Sequence, residues 1–249
     1  MSFHLAAYNV DLGTTANTTV NAVTDDVLTI TNNNFLPQED LDIVFAVAMS
    51  ATLNRARIVS PSNRQVTLPY IIPVKEAAVP GDNCPIANYA DNPFRARGLE
   101  ELGIEATSDI AMGTESCTVL LGLQRTFEPA PIGNIFTLRG TSTTASVADT
   151  WTTITKTWDD QLPVGTFAIV GLYGVAATGL ANRVILEDQT WRPGAPIVDS
   201  NGDAANELFR KGRLGTWGRF KSTARPQIQV LNTAAVSVHT VYLDIVRLS

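Results

Sequence analysis

Cysteine and histidine are scarce in this chain, which has two of each in 249 residues. Cys84 and Cys117 fall in the same half of the sequence, so a disulfide cannot join the two halves; two inert thiols are the simplest interpretation, and a disulfide between these two cysteines is the alternative. No cysteine pair has the spacing of a zinc site. His4 and His239 lie near opposite ends, and no Gly-x-Ser-x-Gly turn accompanies them, so a Ser-His-Asp triad is not indicated.

The chain also lacks a basic run, and its formal net charge is -6. The densest positive stretch is Arg210-Lys-Gly-Arg213, with Arg219 and Lys221 beyond it. Proteins that grip nucleic acid through its phosphates carry a basic patch, because counterion release supplies most of the affinity. Direct, sequence-specific binding of nucleic acid is therefore not expected.

Long apolar runs are missing as well. The most apolar stretch, Phe167 to Ala181, is interrupted by three glycines and is too short to span a bilayer. The first residues contain no basic segment followed by an apolar core, so no secretory signal is expected. Residues 1–23, rich in Thr, Asn and Ala, are predicted to form an N-terminal arm or a loosely held first strand.

Patterns that superficially resemble ligand sites fail on spacing. Gly212–Gly218 lacks the lysine of a phosphate loop. Asp199–Asp203, followed by Glu207, resembles a calcium loop, but its glycine falls at the fourth place and not the sixth, so a turn leading into a helix is expected. Adjacent acidic residues are interpreted as solvated pairs: Glu100 with Glu101, and Asp159 with Asp160. We therefore predict no catalytic residue, no metal site and no cofactor.

The sequence does contain a repeat. Thr118–Arg125 and Thr240–Arg247, 122 positions apart, both read Thr-Val-x-Leu-x-[Leu/Ile]-x-Arg, an alternation typical of a strand with one buried face. Further matches occur in the same order at offsets of about 112 to 128: Asp25–Thr31 with Asp149–Thr155, Leu36-Pro37 with Leu162-Pro163, Asp42–Val47 with Thr166–Gly171, Asn54-Arg55 with Asn182-Arg183, Phe94-Arg95 with Phe209-Arg210, and Leu102-Gly103 with Leu214-Gly215. The sequence predicts a tandem duplication, with domains over 1–130 and 131–249.

Each half contains seven or eight short, Thr-rich segments separated by Pro and Gly turns, which indicates an antiparallel β-sandwich. A short helix is predicted late in each half. The first begins at Asn92 with Pro93 in its first turn and runs to about Leu102, and the second runs from Asp203 to about Lys211. The predicted fold is all-β, with two tandem jelly-roll sandwiches, a double jelly roll.

This arrangement resembles the double jelly-roll major capsid proteins of tailless icosahedral viruses, the tectivirus-like, corticovirus-like and adenovirus-like lineage. The repeated Thr-Val-x-Leu-x-[Leu/Ile]-x-Arg and Phe-Arg segments mark the duplication and are not a family signature. The chain is short for the lineage, which favours a small prokaryotic virus. The resemblance implies a non-catalytic virion subunit that forms pseudo-hexameric homotrimers and tiles an icosahedral shell. It also implies contacts with neighbouring capsomers, with other virion proteins such as pentons, and with an internal membrane through the N-terminal arm.

An alternative function is carbohydrate binding by a tandem, lectin-like β-sandwich. All four tryptophans fall in the second half, at positions 151, 158, 191 and 217. Exposed aromatic rings can form platforms for sugars, although packing in the core or at interfaces is the commoner use of tryptophan. A hydrolase on a β scaffold is the third and weakest interpretation.

Overall fold

The computed structural model describes residues 3–11, 17–50, 53–62, 71–72, 74–76, 86–108, 116–197 and 207–249, and within them the chain is all-β. The chain divides into two compact units. The N-terminal unit is Ala6–Gln124, and the C-terminal unit combines Met1–Leu5 with Arg125–Ser249. The first strand therefore begins in one unit and continues in the other.

The N-terminal unit contains a ten-stranded sheet and a separate hairpin. Its strands are β1 Phe3–Asp11, β2 Thr18–Ala22, β3 Thr29–Thr31, β4 Asn34–Leu36, β5 Leu41–Ser50, β6 Leu53–Val59, β7 Ile71–Ile72, β8 Val74–Glu76, β9 Ala87–Asn88, β10 Phe94–Ala96, β11 Gly103–Ser108 and β12 Ser116–Gln124. The sheet order is β10-β5-β12-β1-β2-β11-β6-β7, with β8 and β9 also paired to β5, and β3 pairs with β4.

The C-terminal unit contains a five-stranded and a four-stranded sheet. Its strands are β13 Ile135–Ser142, β14 Thr152–Ile154, β15 Thr157–Trp158, β16 Thr166–Val175, β17 Gly179–Ile185, β18 Gly194–Pro196, β19 Gly218–Lys221, β20 Gln227–Asn232 and β21 His239–Arg247. The two orders are β15-β13-β21-β16-β19 and β14-β20-β17-β18. The long apolar strands β5 and β16 are buried along most of their length, as near-continuous apolar sequences require.

The two units share one strand order. In the N-terminal unit β10-β5-β12-β1 and β2-β11-β6-β7 are four-stranded paths, and their counterparts in the C-terminal unit are β19-β16-β21-β13 and β14-β20-β17-β18. Each unit thus contributes eight strands to its two paths, and these can be numbered 1 to 8 in the order in which they occur along the chain. With this numbering, the two paths of both units have the strand orders 6-3-8-1 and 2-7-4-5.

The central ladder of the N-terminal unit contains a β-bulge. Strands β5 and β12 pair antiparallel, with Gly122 opposite Phe45 and Leu123 opposite Ile43. Val44 is therefore the extra residue, and the register shifts at that point. A bulge bends a strand and increases its twist, so its position is a specific feature of a ladder.

The C-terminal unit has a bulge at the equivalent position. Strands β16 and β21 pair with Asp244 opposite Gly171 and Ile245 opposite Ile169, so Val170 is the extra residue. The residues of β21 at the bulge follow the equivalent residues of β12 by 122 positions in the sequence. Those of β16 follow the equivalent residues of β5 by 126 positions. The proposed alignment of Asp42–Val47 with Thr166–Gly171, at an offset of 124, is thus wrong by two residues.

Other matched segments occupy unrelated places. Thr29–Thr31 forms the β3 hairpin strand, whereas Thr152–Ile154 pairs with β20. Phe94 opens β10, whereas Phe209 lies in a 3-10 turn, and the register places Arg219, not Arg210, at the site equivalent to Arg95. The match of Leu102-Gly103 with Leu214-Gly215 also fails, because only the first pair adjoins a strand of the large sheet. The two arginines that close the repeated strands do match in position, since Arg247 ends β21 and Arg125 directly follows β12.

Neither predicted helix is present among the described residues. The segment from Asn92 to Leu102 forms β10 and a turn, because Phe94 and Ala96 alternate with an exposed Arg95 and pair with β5. In the second half residues 203–206 lie outside the described ranges, and the residues directly after them, Glu207–Phe209, form a three-residue 3-10 turn. Positive φ angles at Lys211 and Gly212 end that turn.

Candidate functional site

Both histidines are buried and contact backbone groups. His4 is fully buried, and its Nδ1 accepts a hydrogen bond of 3.2 Å from the backbone N–H of Arg192. The ring lies edge-on to Trp191, with 5.8 Å between centroids. His239 is 1% exposed, and its Nε2 lies 3.1 Å from the carbonyl oxygen of Val236. These contacts fix both rings.

His239 belongs to a buried polar cluster in the C-terminal unit. The amine of Lys156 donates to the carbonyl oxygen of His239 at 3.0 Å, and burial lowers the pKa of Lys156 to about 7. Burial also lowers the pKa of His239, with a smaller contribution from the charge of Lys156. Asn232 donates to the hydroxyl of Ser146 at 2.6 Å. The cluster therefore favours the neutral forms of both bases.

A second buried cluster is centred on Asp244, which is 1% exposed. Arg210 donates to both carboxylate oxygens at 2.5 and 2.9 Å, Thr137 donates at 2.8 Å, and the backbone N–H of Lys211 donates at 3.1 Å. Burial opposes ionisation, but these four donors hold the pKa of Asp244 below its ordinary value. Through these hydrogen bonds, Asp244 on strand β21 holds the turn at residues 210–211 against the sheet. A lone Asp within the apolar strand Val241–Val246 was the signal that could have predicted this cluster.

None of the four tryptophans is exposed. Trp151 is 8% exposed and lies beneath the guanidinium of Arg183, whose carbon is 4.2 Å from the ring centroid. Trp217 is fully buried and lies edge-on to Phe3 at 4.9 Å. Trp158 covers Gly140, and Trp191 contacts His4 as described. The four tryptophans therefore do not form the exposed aromatic platform that carbohydrate binding would require.

The remaining sequence patterns form turns or surface pairs. Glu207 and Arg213 form an exposed pair at 3.7 Å, whereas Asp199–Asp203 lies outside the described residues. Cys117 is a free, buried thiol whose pKa burial raises to about 12, and Cys84 is also outside those residues. The acidic neighbours have separate partners: Glu100 accepts from Ser62, Glu101 from Asn32 and Asn34, Asp159 from Arg139, and the carbonyl of Asp160 from Arg225.

Across the ranges that the structure describes, no group of three or more His, Cys, Asp or Glu side chains could hold a metal ion. In the same ranges no helix has the length and apolar character needed to cross a membrane. The N-terminal residues described are not a free arm: Phe3, Leu5 and Tyr8 are fully buried within strand β1.

Exposed apolar side chains are concentrated in the C-terminal unit. Of ten large hydrophobic residues exposed among those described, two lie in the N-terminal unit, Ile30 and Leu99. The other eight are Phe127, Ile132, Ile135, Phe136, Val147, Val164, Val238 and Leu248. Scattered apolar residues are normal on a protein surface, whereas clusters mark interaction sites.

One such cluster surrounds a cavity of about 360 Å³, which we call the Phe136 pocket. Its lining is Phe136, Thr137, Leu138, Asp160, Gln161, Leu162, Pro163, Phe167, Ile245 and Arg247. Among these lining residues Phe136 is 54% exposed, whereas Phe167 and Ile245 are buried. The exposed Val164 adjoins the pocket, because its carbonyl oxygen accepts a hydrogen bond from Arg247. The pocket is thus an apolar opening with one cation and one carboxylate among its lining residues.

No family model matches the chain, and no curated protein matches it. Among solved structures it is similar to the crystal structure of the major capsid protein P2 from Bacteriophage PM2, at 8% sequence identity and a TM-score of 0.24, with 98% of each chain covered. A TM-score and identity this low do not establish a common fold.

Proposed function

We propose that this chain is a structural capsid subunit composed of two tandem jelly-roll sandwiches. The observation that carries the proposal is the strand order shared by the two units, 6-3-8-1 with 2-7-4-5, together with the bulges at Val44 and Val170. Eight strands in two four-stranded paths of this order form the two Greek keys of a jelly roll. Fold alone does not fix function, so the further support comes from what a duplicated sandwich with exposed apolar surfaces can do.

A chain with two similar sandwiches can present two similar sets of surfaces. Three such chains fill six roughly equivalent positions, so one interface chemistry can tile a closed surface. We therefore propose a homotrimer with a pseudo-hexameric outline that builds an icosahedral shell and resides in the virion. Its partners are copies of itself and other virion proteins such as pentons, and its role is not catalytic.

Surface composition supports association between copies. Among the residues that the structure describes, eight of the ten exposed large apolar side chains lie in the C-terminal unit, which suits a protein that buries this surface in an assembly. Formal charge is also divided unequally. Residues 6–124 contain 14 acidic and 6 basic side chains, a net charge of -8, whereas the rest of the chain contains 10 acidic and 12 basic, a net charge of +2. Opposite charge on the two units favours contact between unlike units of different copies.

Electron microscopy of the purified full-length chain, combined with light scattering after size exclusion, tests the proposal. We expect trimers and closed particles whose population grows with protein concentration. A monomer at every concentration and ionic strength tried would overturn the capsid role. The alternative function is carbohydrate binding, which the buried and half-buried tryptophans do not support. Saturable binding of a sugar by a monomeric chain would favour this alternative over the capsid role.

A further inference from the structure

Leu99 is presented to solvent in an unfavourable conformation. Its side chain is 72% exposed, and its backbone lies in the left-handed region at a φ of 61°. Side chains with a Cβ avoid this region, and glycine, asparagine and aspartate are the usual occupants. A leucine at this position lowers the stability of the folded chain in two ways, through its strained backbone and through its exposed apolar surface. Local strain of this kind is concentrated at functional sites.

The turn that carries Leu99 is held firmly. The backbone N–H of Leu99 donates to the carbonyl oxygen of Pro37 at 2.8 Å, and that of Gly98 donates to the carboxylate of Asp40 at 2.9 Å. Gly98 also packs so tightly on Glu39 that a Cβ would lie 2.7 Å from the Cα of Glu39. Glu100 is fixed by hydrogen bonds from Ser62. The leucine is therefore a fixed apolar knob.

The Phe136 pocket has the complementary form. Six of its ten lining residues are apolar, and at about 360 Å³ it exceeds the volume of one aliphatic side chain. Phe136 leaves more than half of its surface in water, so a side chain inserted in the pocket would bury apolar area on both partners.

The knob and the pocket lie in units of opposite net charge, -8 for residues 6–124 and +2 for the rest of the chain. Leu99 is followed directly by Glu100 and Glu101, and although Arg97 also lies in this turn, the N-terminal unit as a whole is strongly acidic. Arg247 and Asp160 both line the pocket, and Arg225 donates a hydrogen bond to the carbonyl oxygen of Asp160. Complementary charges of this kind fix the register of an interface and speed its formation.

We propose that Leu99 of one copy inserts into the Phe136 pocket of a second copy, with Glu100 and Glu101 facing Arg247. The inference rests on the proposed self-association and names the contact that mediates it. The two surfaces belong to different units, so the contact is heterologous. Head-to-tail contacts of this type close into rings when the rotation between copies permits.

Sedimentation velocity of full-length variants tests the contact. Leu99→Asp and Phe136→Asp are each expected to weaken association about 10- to 100-fold, the effect of losing one buried apolar side chain. Val238→Asp is the matched control, because Val238 is an exposed apolar residue of the C-terminal unit that does not line the pocket, and it should change association less than about 2-fold. Leu99→Asp should fold normally since aspartate tolerates a positive φ. Arg247→Glu tests the pocket independently if Phe136→Asp does not fold.

A mixture of Leu99→Asp and Phe136→Asp copies gives the sharpest result. Each variant retains the half of the contact that the other lacks, so the mixture should form dimers while neither variant does so alone. If wild-type chains assemble and Leu99→Asp chains assemble equally well, this contact is wrong and the capsid proposal stands. If both variants fail to assemble and their mixture yields no dimer, the direct pairing is likewise wrong. If the wild type never associates, the capsid proposal itself fails.

Discussion

Gly122 lies directly opposite Phe45 in the central ladder of the N-terminal unit, and a Cβ placed on it would be 2.1 Å from Cε1 of the ring. At the equivalent position of the C-terminal unit the roles are exchanged, because Gly171 is the glycine and Asp244 on the opposite strand supplies the side chain. Each ladder thus has room for one side chain at this position. The two ladders fill it from opposite strands, one with an aromatic ring and the other with a carboxylate.

Gly122→Ala is therefore expected to destabilise the N-terminal unit. Phe45 is fully buried, so the ring cannot move away from a new methyl group without disturbing the core. Overpacking of this kind costs about 1–3 kcal/mol of unfolding free energy. Urea unfolding followed by circular dichroism measures the loss. The same change in a Phe45→Leu background should cost less, and equal losses in both backgrounds would show that the ring is not the obstacle.

Asp244→Asn should destabilise the C-terminal unit by about 3 kcal/mol, because it leaves the half-buried Arg210 without its counter-charge. All four tryptophans lie in this unit, so their fluorescence reports its unfolding selectively. Asp159→Asn is the matched control, since it removes an Arg–Asp pair whose side chains are 46% and 37% exposed, and little change is expected. Similar losses in the two variants would contradict the assignment of Asp244 as the buried anchor.

The same carboxylate gives a pH dependence at the acid end. The pKa of Asp244 is lower in the folded chain than its ordinary value, so the unfolded chain takes up its proton first as the pH falls. Its contribution is complete above the ordinary pKa of about 4 and disappears as the pH falls through the lowered value. Asp244→Asn should flatten this part of the stability profile.

The sequence predicted the positions of the long strands well, but it was wrong about one buried face for Thr118–Arg125, because residues 118–124 are buried on both faces of β12. The alternation in Thr118–Arg125 and Thr240–Arg247 identified β12 and β21, and the near-continuous apolar segments identified β5 and β16. Alternation and near-continuous apolar runs are both local patterns, so they are visible in a single sequence. The shared strand order, by contrast, depends on pairings between distant segments, which local patterns do not encode.

Local signals misled where tertiary pairing overrode them. Asn92-Pro93 has the form of a helix start, but Phe94 and Ala96 bury their side chains by pairing with β5, and this outweighs a weak cap. The Leu99 turn could not be predicted, because nothing in its composition signals a positive φ at a leucine. Asp244 was predictable in principle, since a charged residue inside an apolar strand requires a partner.

Leu99→Asn should stabilise the isolated chain by about 1 kcal/mol, because asparagine adopts the left-handed conformation more readily than leucine does. Leu99→Ala separates backbone from side chain, since alanine also loses the apolar surface but still disfavours a positive φ, so it should give little or no gain. The measurement is urea unfolding at a concentration below that of assembly. An alanine variant as stable as the asparagine variant would place the penalty in the exposed side chain instead.

Lys156 should make the C-terminal unit less stable as the pH falls from about 10.5 to about 7. Burial lowers its pKa to about 7, so over this range the unfolded chain holds a proton that the folded chain has released. The loss should reach about 2 kcal/mol, allowing for solvent screening at a half-buried amine, and should level off below pH 7. Below pH 6.5 His239, whose pKa is also lowered, should reduce stability further.

The variant Lys156→Met should remove the slope of stability against pH between pH 7 and 10.5, measured by fluorescence-detected urea unfolding. The variant Lys221→Met, at an exposed lysine, should retain that slope. An unchanged slope in Lys156→Met would mean that another group, not this amine beside His239, releases its proton on folding.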